Sequence, residues 1–314
     1  MAEETIWSFG YGSNMDVKAL EAKKHVKVIG KYLSSSSRIQ DHYQQFFFGL
    51  EHTPAILKDF KMTFSLRGVH HAEPYYSGMT AQEGAEVHGV AFCMNMESAA
   101  NLDRNESGGY NKQNVTLKAY DGRDLHGFIY MNKTPPQGDF EPSARYLGVL
   151  VKGAKQAGLD PDYIDKLSKR PVYQPDEVTL QARKERPDPD SLKEITVEEL
   201  AKHKDDDDEI WIACLGYVLP AKPWFKAHRG RDITTRVLMQ FHGIPMDDND
   251  DAGRPPYPIL DELSPDELEY VTRWLDHYHL SPDGTSKKDF LGYLKQFKDQ
   301  QKSGISAFKL PPIP

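Results

Sequence analysis

The stretch Phe9-Gly10-Tyr11-Gly12-Ser13-Asn14-Met15 is the first place where residue types and spacing suggest chemistry. It follows an apolar run at residues 5–9 that reads as a strand, and Val17, Ala19 and Leu20 begin a helix-like pattern after it. At such a strand–turn–helix junction, Gly12 admits backbone dihedrals closed to other residues and lets a ligand approach closely. The N–H groups of Ser13, Asn14 and Met15 would point off a helix start, where an anion or a developing oxyanion is stabilised. The same letters also describe a plain glycine turn with Ser13 or Asn14 as a helix cap.

Other constellations carry charge or metal-ligating atoms. His228-Arg229-Gly230-Arg231-Asp232 is basic and ends at a candidate helix cap; it could grip an acidic ligand or pair with the acidic stretch before it. Asp247-Asp248-Asn249-Asp250-Asp251-Ala252-Gly253 superficially suggests a calcium loop, but its Gly is displaced by one and no Glu closes it. Asp205-Asp206-Asp207-Asp208-Glu209 reads as a solvated connector. The histidines are scattered without zinc spacing to cysteine. Cys93 and Cys214 lie in apolar, strand-like runs and read as buried thiols, with no disulfide framework.

The Tyr-Gly-Ser-Asn-Met stretch near the N-terminus resembles the gamma-glutamylcyclotransferase family, which opens with a strand ending in Tyr-Gly-Ser-Asn and carries a lone catalytic glutamate after a Leu-Asp pair. Leu102-Asp103-Arg104-Asn105-Glu106 fits that second pattern. Further similarities fall in family order over the first half of the chain: Leu57 to Phe64, Tyr75-Tyr76-Ser77-Gly78 as the loop before the central strand, Val87 to Phe92, and Tyr146 with Gly153 to Leu159. The resemblance implies that Glu106 is general base and acid, and that Tyr11, Gly12, Ser13, Asn14, Met15, Tyr110, Tyr130 and Tyr146 bind substrate. It implies cyclisation of a γ-glutamyl group, whose own α-amine attacks its γ-carbonyl to give 5-oxoproline and release the attached amine. Nucleophile and electrophile share one molecule, so one carboxylate suffices and no metal or cofactor is required. Glu97 and Asp103 are rival acids, Asp103 reading as a local cap or packing residue and Glu97 as a helix-start residue.

These residues need elements to hold them. Residues 16–24 read as a short helix and 26–33 as a strand. Residues 34–52, with His42, Tyr43, Phe46, Phe47 and Phe48, fit either a surface excursion or a lid. Residues 55–66 alternate as a strand, and 67–86 look loop-like through Gly68, Pro74, Gly78 and Gly84. Residues 87–94 form a continuous apolar, central strand. Residues 97–105 form a short helix, 110–120 and 125–131 a hairpin around Asp121-Gly122, and Ser143 caps a helix ended by Gly158. Pro161 opens another short helix. Residues 210–219 read as one strand, able to complete a shared sheet with the first part of the chain. Helices follow at 233–241, 265–278 and 288–298, the second opened by Ser264-Pro265-Asp266-Glu267.

The expected fold is α+β: a small mixed β-barrel with flanking helices and a helical C-terminal extension. The expected organisation is a catalytic domain at 1–170, a charged, Pro-containing connector at 171–209 and an extension of one strand plus helices at 210–314. The 314 residues carry a net charge of −8, which argues against a nucleic-acid footprint. No apolar run approaches membrane-spanning length, and no signal-like stretch follows the acidic Ala2-Glu3-Glu4, so the cytosol is the expected compartment. The expected partner is a small γ-glutamyl molecule, with no nucleic acid or membrane and with a homodimer left open. The alternative is a binding or scaffold protein on the same fold, using the C-terminal extension as partner surface.

Overall fold

Alternation along the early strands sorts their side chains to two sides of one closed sheet. The computed structural model describes residues 4–15, 52–106, 108, 110–134, 137–205, 210–221, 226–244, 256–285, 287–306 and 308–310. The helix and strand expected at 16–24 and 26–33 lie outside the described residues, as do the excursion expected at 34–52 except for His52, and the calcium-like stretch at 247–253. Strands β1 (Thr5–Gly10), β2 (His52–Val69), β3 (Glu73–Asn95), β4 (Tyr110–Ala119) and β5 (Asp124–Asn132) close in the order β1-β3-β2-β4-β5. The barrel is mixed: β1 runs antiparallel to β3, with Phe9 opposite Ala91, and parallel to β5, with Ser8 opposite Phe128.

One core cluster consists of strand and strand-end residues, among them Phe9, Leu57, Val87, Ala91, Leu117 and Ile129, and fills the barrel. A second covers its outside. There Phe92, Met94 and Phe128 pack with Ala99 and Leu102 of α1 (Met96–Glu106), with Leu147, Leu150 and Ala154 of α2 (Ala144–Gln156), and with Leu167 of α3 (Pro161–Ser168). β3 is therefore buried on both faces near Val90 to Met94, as its unbroken apolar run predicts. Ser143 caps α2 by accepting from Tyr146 N, which fixes where Tyr146 enters the fold.

The stretch 67–86 is not a loop: β2 and β3 run through it, joined by a short turn at 70–72. Its glycines mislead because they serve contact rather than turning; a Cβ on Gly78 would collide with the side chains of Ser65 and Asn132.

The described residues divide into two units, one holding the barrel and its helices through Tyr173, the other comprising Val69–Ala72 and Gln174–Pro314. Of the stretch read as a connector, residues 174–205 are folded into the second unit, with α4 (Glu177–Lys184), β6 (Glu194–Ile195) and α5 (Val197–Lys202), and residues 206–209 lie outside the described residues. Asp176 and Thr196 cap its helices, so its charged residues are helix starts and surfaces and not a plain linker. The single strand expected at 210–219 is instead the hairpin β7 (Trp211–Cys214) and β8 (Tyr217–Pro220), turned by Leu215 and Gly216 at φ of 51° and 79°. Among the described residues it pairs with no barrel strand; its sheet is β6-β9-β8-β7, with β9 at Gly292–Leu294. The helix expected across 288–298 begins late for the same reason: β9 comes first, then α8 (Lys295–Ser303). α6 (Thr234–Phe241) and α7 (Pro265–His279) bury Val237, Leu238, Val271, Trp274 and Leu275 against Ile212 and Leu219.

Candidate active site

At the end of β1 the chain leaves the barrel through Tyr11 and Gly12 and makes one 3-10 turn, Ser13–Met15, closed by Met15 N donating to Gly12 O at 3.1 Å. A Cβ on Gly12 would run into Ser77 Oγ on β3, so any side chain there must displace the Ser77 hydroxyl. Tyr11 is buried, and its hydroxyl donates to Tyr130 O at 2.8 Å, tying the turn to β5.

Glu106 is the last residue of α1. Ala99, Leu102 and Glu106 are spaced three and four apart, so the carboxylate lies on the helix face that packs against the barrel. It is 8% exposed, and Asn14 Nδ2 donates to its Oε1 at 2.9 Å. Asn14 thus joins the glycine turn to the carboxylate across 92 residues of sequence.

Phenols make the rest of the wall. Tyr146, on α2, accepts from Ser77 N at 3.2 Å and shares a 2.9 Å hydrogen bond with Ser77 Oγ. Tyr110 donates to Ser77 O at 3.1 Å. Tyr130 donates to Asp103 Oδ1 at 2.6 Å, and Lys112 Nζ holds the other oxygen of Asp103 at 3.0 Å. Burial pushes the hydroxyls of Tyr11, Tyr110, Tyr130 and Tyr146 above the ordinary phenol range. The negative neighbours Glu106 and Asp103 push Tyr130 the same way. At neutral pH these rings are therefore uncharged hydroxyls that can donate. Together with Phe9, Gly10, Ser13 and Ser77, these groups enclose a cavity of about 80 Å³.

Residues 86–167 match the AIG2-like family. The gamma-glutamylcyclotransferase of Bos taurus is 30% identical over 171 residues, covering 52% of this chain and 78% of that protein. The chain belongs to the gamma-glutamylcyclotransferase family. A gamma-glutamyl cyclotransferase of Claviceps purpurea is 28% identical over 125 residues, 36% of this chain and 56% of that protein. One of Aspergillus fumigatus is 24% identical over 196 residues, 54% of this chain and 64% of that protein. The chain thus spans less than two thirds of either fungal relative. A solved gamma-glutamyl cyclotransferase structure, 21% identical, aligns with 58% of this chain and 100% of its own at a TM-score of 0.43.

Of the residues singled out from the sequence, Tyr11, Gly12, Ser13, Asn14, Glu106, Tyr110, Tyr130 and Tyr146 line this one cavity. Met15 does not: its side chain is buried with Phe64, Phe92 and Tyr146, and its N–H closes the turn. Of the rival acids, Glu97 is exposed on the first turn of α1, and Asp103 supports Tyr130 from behind without lining the cavity. Ser77 is the member that sequence reasoning assigned no role. The sequence signal is a small polar residue between Tyr76 and Gly78, which Gly68, Pro74, Gly78 and Gly84 make look like part of a loop. Among the described residues, no group of three or more His, Cys, Asp or Glu is placed to hold a metal ion, and no helix is long and apolar enough to cross a membrane. Cys93 and Cys214 are both buried free thiols.

Proposed function

We propose that the chain is a cyclotransferase acting on a γ-glutamyl compound, forming 5-oxoproline and releasing the attached amine. The observation that carries this reading is the Glu106 carboxylate, buried, held by the Asn14 amide and facing a cavity of neutral phenols. In the proposed reaction the substrate's α-amine nitrogen bonds to its own γ-carbonyl carbon. Glu106 takes the proton that the attacking nitrogen gives up, and returns it to the departing amine as the old C–N bond breaks. Ring closure within one molecule supplies about 7–11 kcal/mol of the barrier when the geometry is right. The backbone N–H groups of the Gly12–Asn14 turn would meet the substrate carboxylate or the developing oxyanion, and the hydroxyls of Tyr110 and Tyr130 would orient the glutamyl group. A cytosolic setting accords with this reading, since free buried thiols suit a reducing compartment.

Liquid chromatography of 5-oxoproline release across a panel of γ-glutamyl amino acids, glutathione and γ-glutamyl amines tests the proposal. Release from at least one class, with a one-to-one yield of free amine, is the expected result. No release from any of them would overturn the reading in favour of a binding protein on this fold.

A further inference from the structure

The basic motif around Arg229 and Arg231 has no part in the cyclotransferase cavity. In the second unit it forms a turn pinned on both sides. Gly230 N donates to Trp211 O at 2.8 Å, Ala213 N to Arg231 O at 2.9 Å and Ile233 N to Ala213 O at 2.8 Å. Gly230 has φ of 66°, and a Cβ there would lie 2.8 Å from Lys204 Cβ and 3.2 Å from Leu200 O. The turn is therefore pressed against the end of α5 in a backbone conformation that suits glycine. Beside it lies a cavity of about 330 Å³, within the range of small-molecule sites, which run from about 300 to 1,000 Å³. Arg229, Arg231 and Lys204 supply positive charge to its wall, and Val197 and Leu200 supply apolar surface.

Tyr257 gives the independent sign of a ligand. It lines the cavity, is 0% exposed, and its hydroxyl has no hydrogen-bond partner among the described residues. A buried, unmatched hydroxyl is destabilising unless something supplies the bond. Burial pushes its pKa well above the ordinary phenol range, and the negative charges of Asp232 and Glu198, which also line the cavity, push it the same way. The hydroxyl is thus held as a donor. Asp232 is itself engaged, accepting from Thr234 N at 2.8 Å and Gly216 N at 3.2 Å.

We propose that this cavity is a second binding site, taking a small monocarboxylate with an apolar tail: the guanidinium groups and the Tyr257 hydroxyl meet the carboxylate, and Val197 and Leu200 meet the tail. Inorganic phosphate satisfies only the charged half and 1-hexanol only the apolar half. Titration calorimetry of the full chain with sodium hexanoate tests this directly. Saturable one-to-one binding is expected, with phosphate and 1-hexanol far weaker. Arg231→Gln is expected to weaken hexanoate at least about tenfold, the loss of a charge-assisted hydrogen bond, and Tyr257→Phe about fivefold. Should Arg231→Gln fail to fold, Ala201→Trp, on an exposed position of the cavity wall, is expected to block the site by bulk. Glu106→Gln is expected to leave hexanoate affinity unchanged, which separates this site from the cyclotransferase cavity. Absence of saturable binding, wild-type affinity in Tyr257→Phe and Ala201→Trp, or loss of affinity in Glu106→Gln would each overturn the proposal.

Discussion

The cavity at the end of β1 and the side of α7 both bury carboxylates, in opposite company. Asp276 is 0% exposed, and its oxygens are taken by guanidinium groups: Arg183 Nη2 at 2.7 Å on one, and Arg186 on the other. Arg183 also reaches Glu269 at 2.8 Å, and Glu269 pairs with Arg273 at 2.8 Å, so charge is matched along the helix. Glu106 is instead held by the amide of Asn14 and faces uncharged phenols and open space. The first arrangement fixes a structure, because displacing any member leaves a buried charge behind. The second leaves a carboxylate beside a cavity, where under the proposed function a substrate proton would reach it, as acid–base work requires. Buried acids thus divide by their partners, and burial alone does not mark a catalytic one.

That contrast can be broken in four places. Asp276→Asn carries the largest expected effect: it takes the carboxylate from Arg186 and leaves Arg183 with Glu269 alone, and destabilises by about 3–5 kcal/mol, while turnover per folded molecule is unchanged. Urea unfolding alongside an activity assay checks it, and a loss of turnover without a loss of stability would reverse the assignment. Gly12→Val should do the converse. Its side chain enters the space of Ser77, so the protein stays folded by circular dichroism but loses roughly a hundredfold in kcat/KM, as for loss of an oxyanion donor. Unchanged affinity in a folded variant would remove the turn from the site.

The pH response sharpens the contrast within the second unit. Burial pushes His228 down to about 3, helped by Arg236, and pushes His277 down to about 3, helped by His70 and His71. Their ordinary value is 6.5, so below it the unfolded chain takes protons that the folded one refuses, and stability falls as pH falls. Asp232 acts in the other direction. Burial raises it from 3.8 to about 6, so the folded state binds its proton first and gains stability as pH falls through that window. His70 and His279 are lowered by burial in the same direction, so the histidines outweigh the one aspartate and stability is expected to fall between pH 6.5 and about pH 5. Urea midpoints across that range should flatten in His277→Gln and steepen in Asp232→Asn; the opposite pair of slopes would refute the account. The smallest effect belongs to Ser264→Ala, which removes the capping box of α7 and should lower stability by about 1 kcal/mol, read from the same unfolding curves.

Much of the candidate site's layout was legible because its signals are local. The strand–turn at Tyr11 to Asn14, the short helix ending at Glu106 and the Asp121-Gly122 hairpin each announce themselves within a dozen residues. So do the Ser143 and Ser264 caps. What stayed hidden depends on distant contacts. Ser77 sits in a strand whose Gly78 exists to let Ser65 and Asn132 approach, a reason invisible without the partner strands. Met15 offered an N–H on paper, but closing the turn uses it. The β7–β8 hairpin escaped because Leu215-Gly216 is not one of the usual hairpin pairs, and Leu215 adopts a positive φ that only the surrounding sheet enforces. Charge density likewise misread 171–209, where Asp176 and Thr196 are helix caps.

The central claim is that Glu106 transfers the proton, and the most direct test compares three variants on one helix. 5-Oxoproline release is measured for Glu106→Gln, Glu97→Gln and Asp103→Asn, with melting temperature and binding of a γ-glutamyl ligand followed in parallel. Glu106→Gln keeps the shape and much of the hydrogen bonding of the carboxylate but removes the basic oxygen. It is expected to melt with the wild type, still bind the ligand, and lose at least about a hundredfold in rate, the usual worth of a general acid–base group. Glu97→Gln and Asp103→Asn should lose far less. Near wild-type turnover by Glu106→Gln would contradict the account.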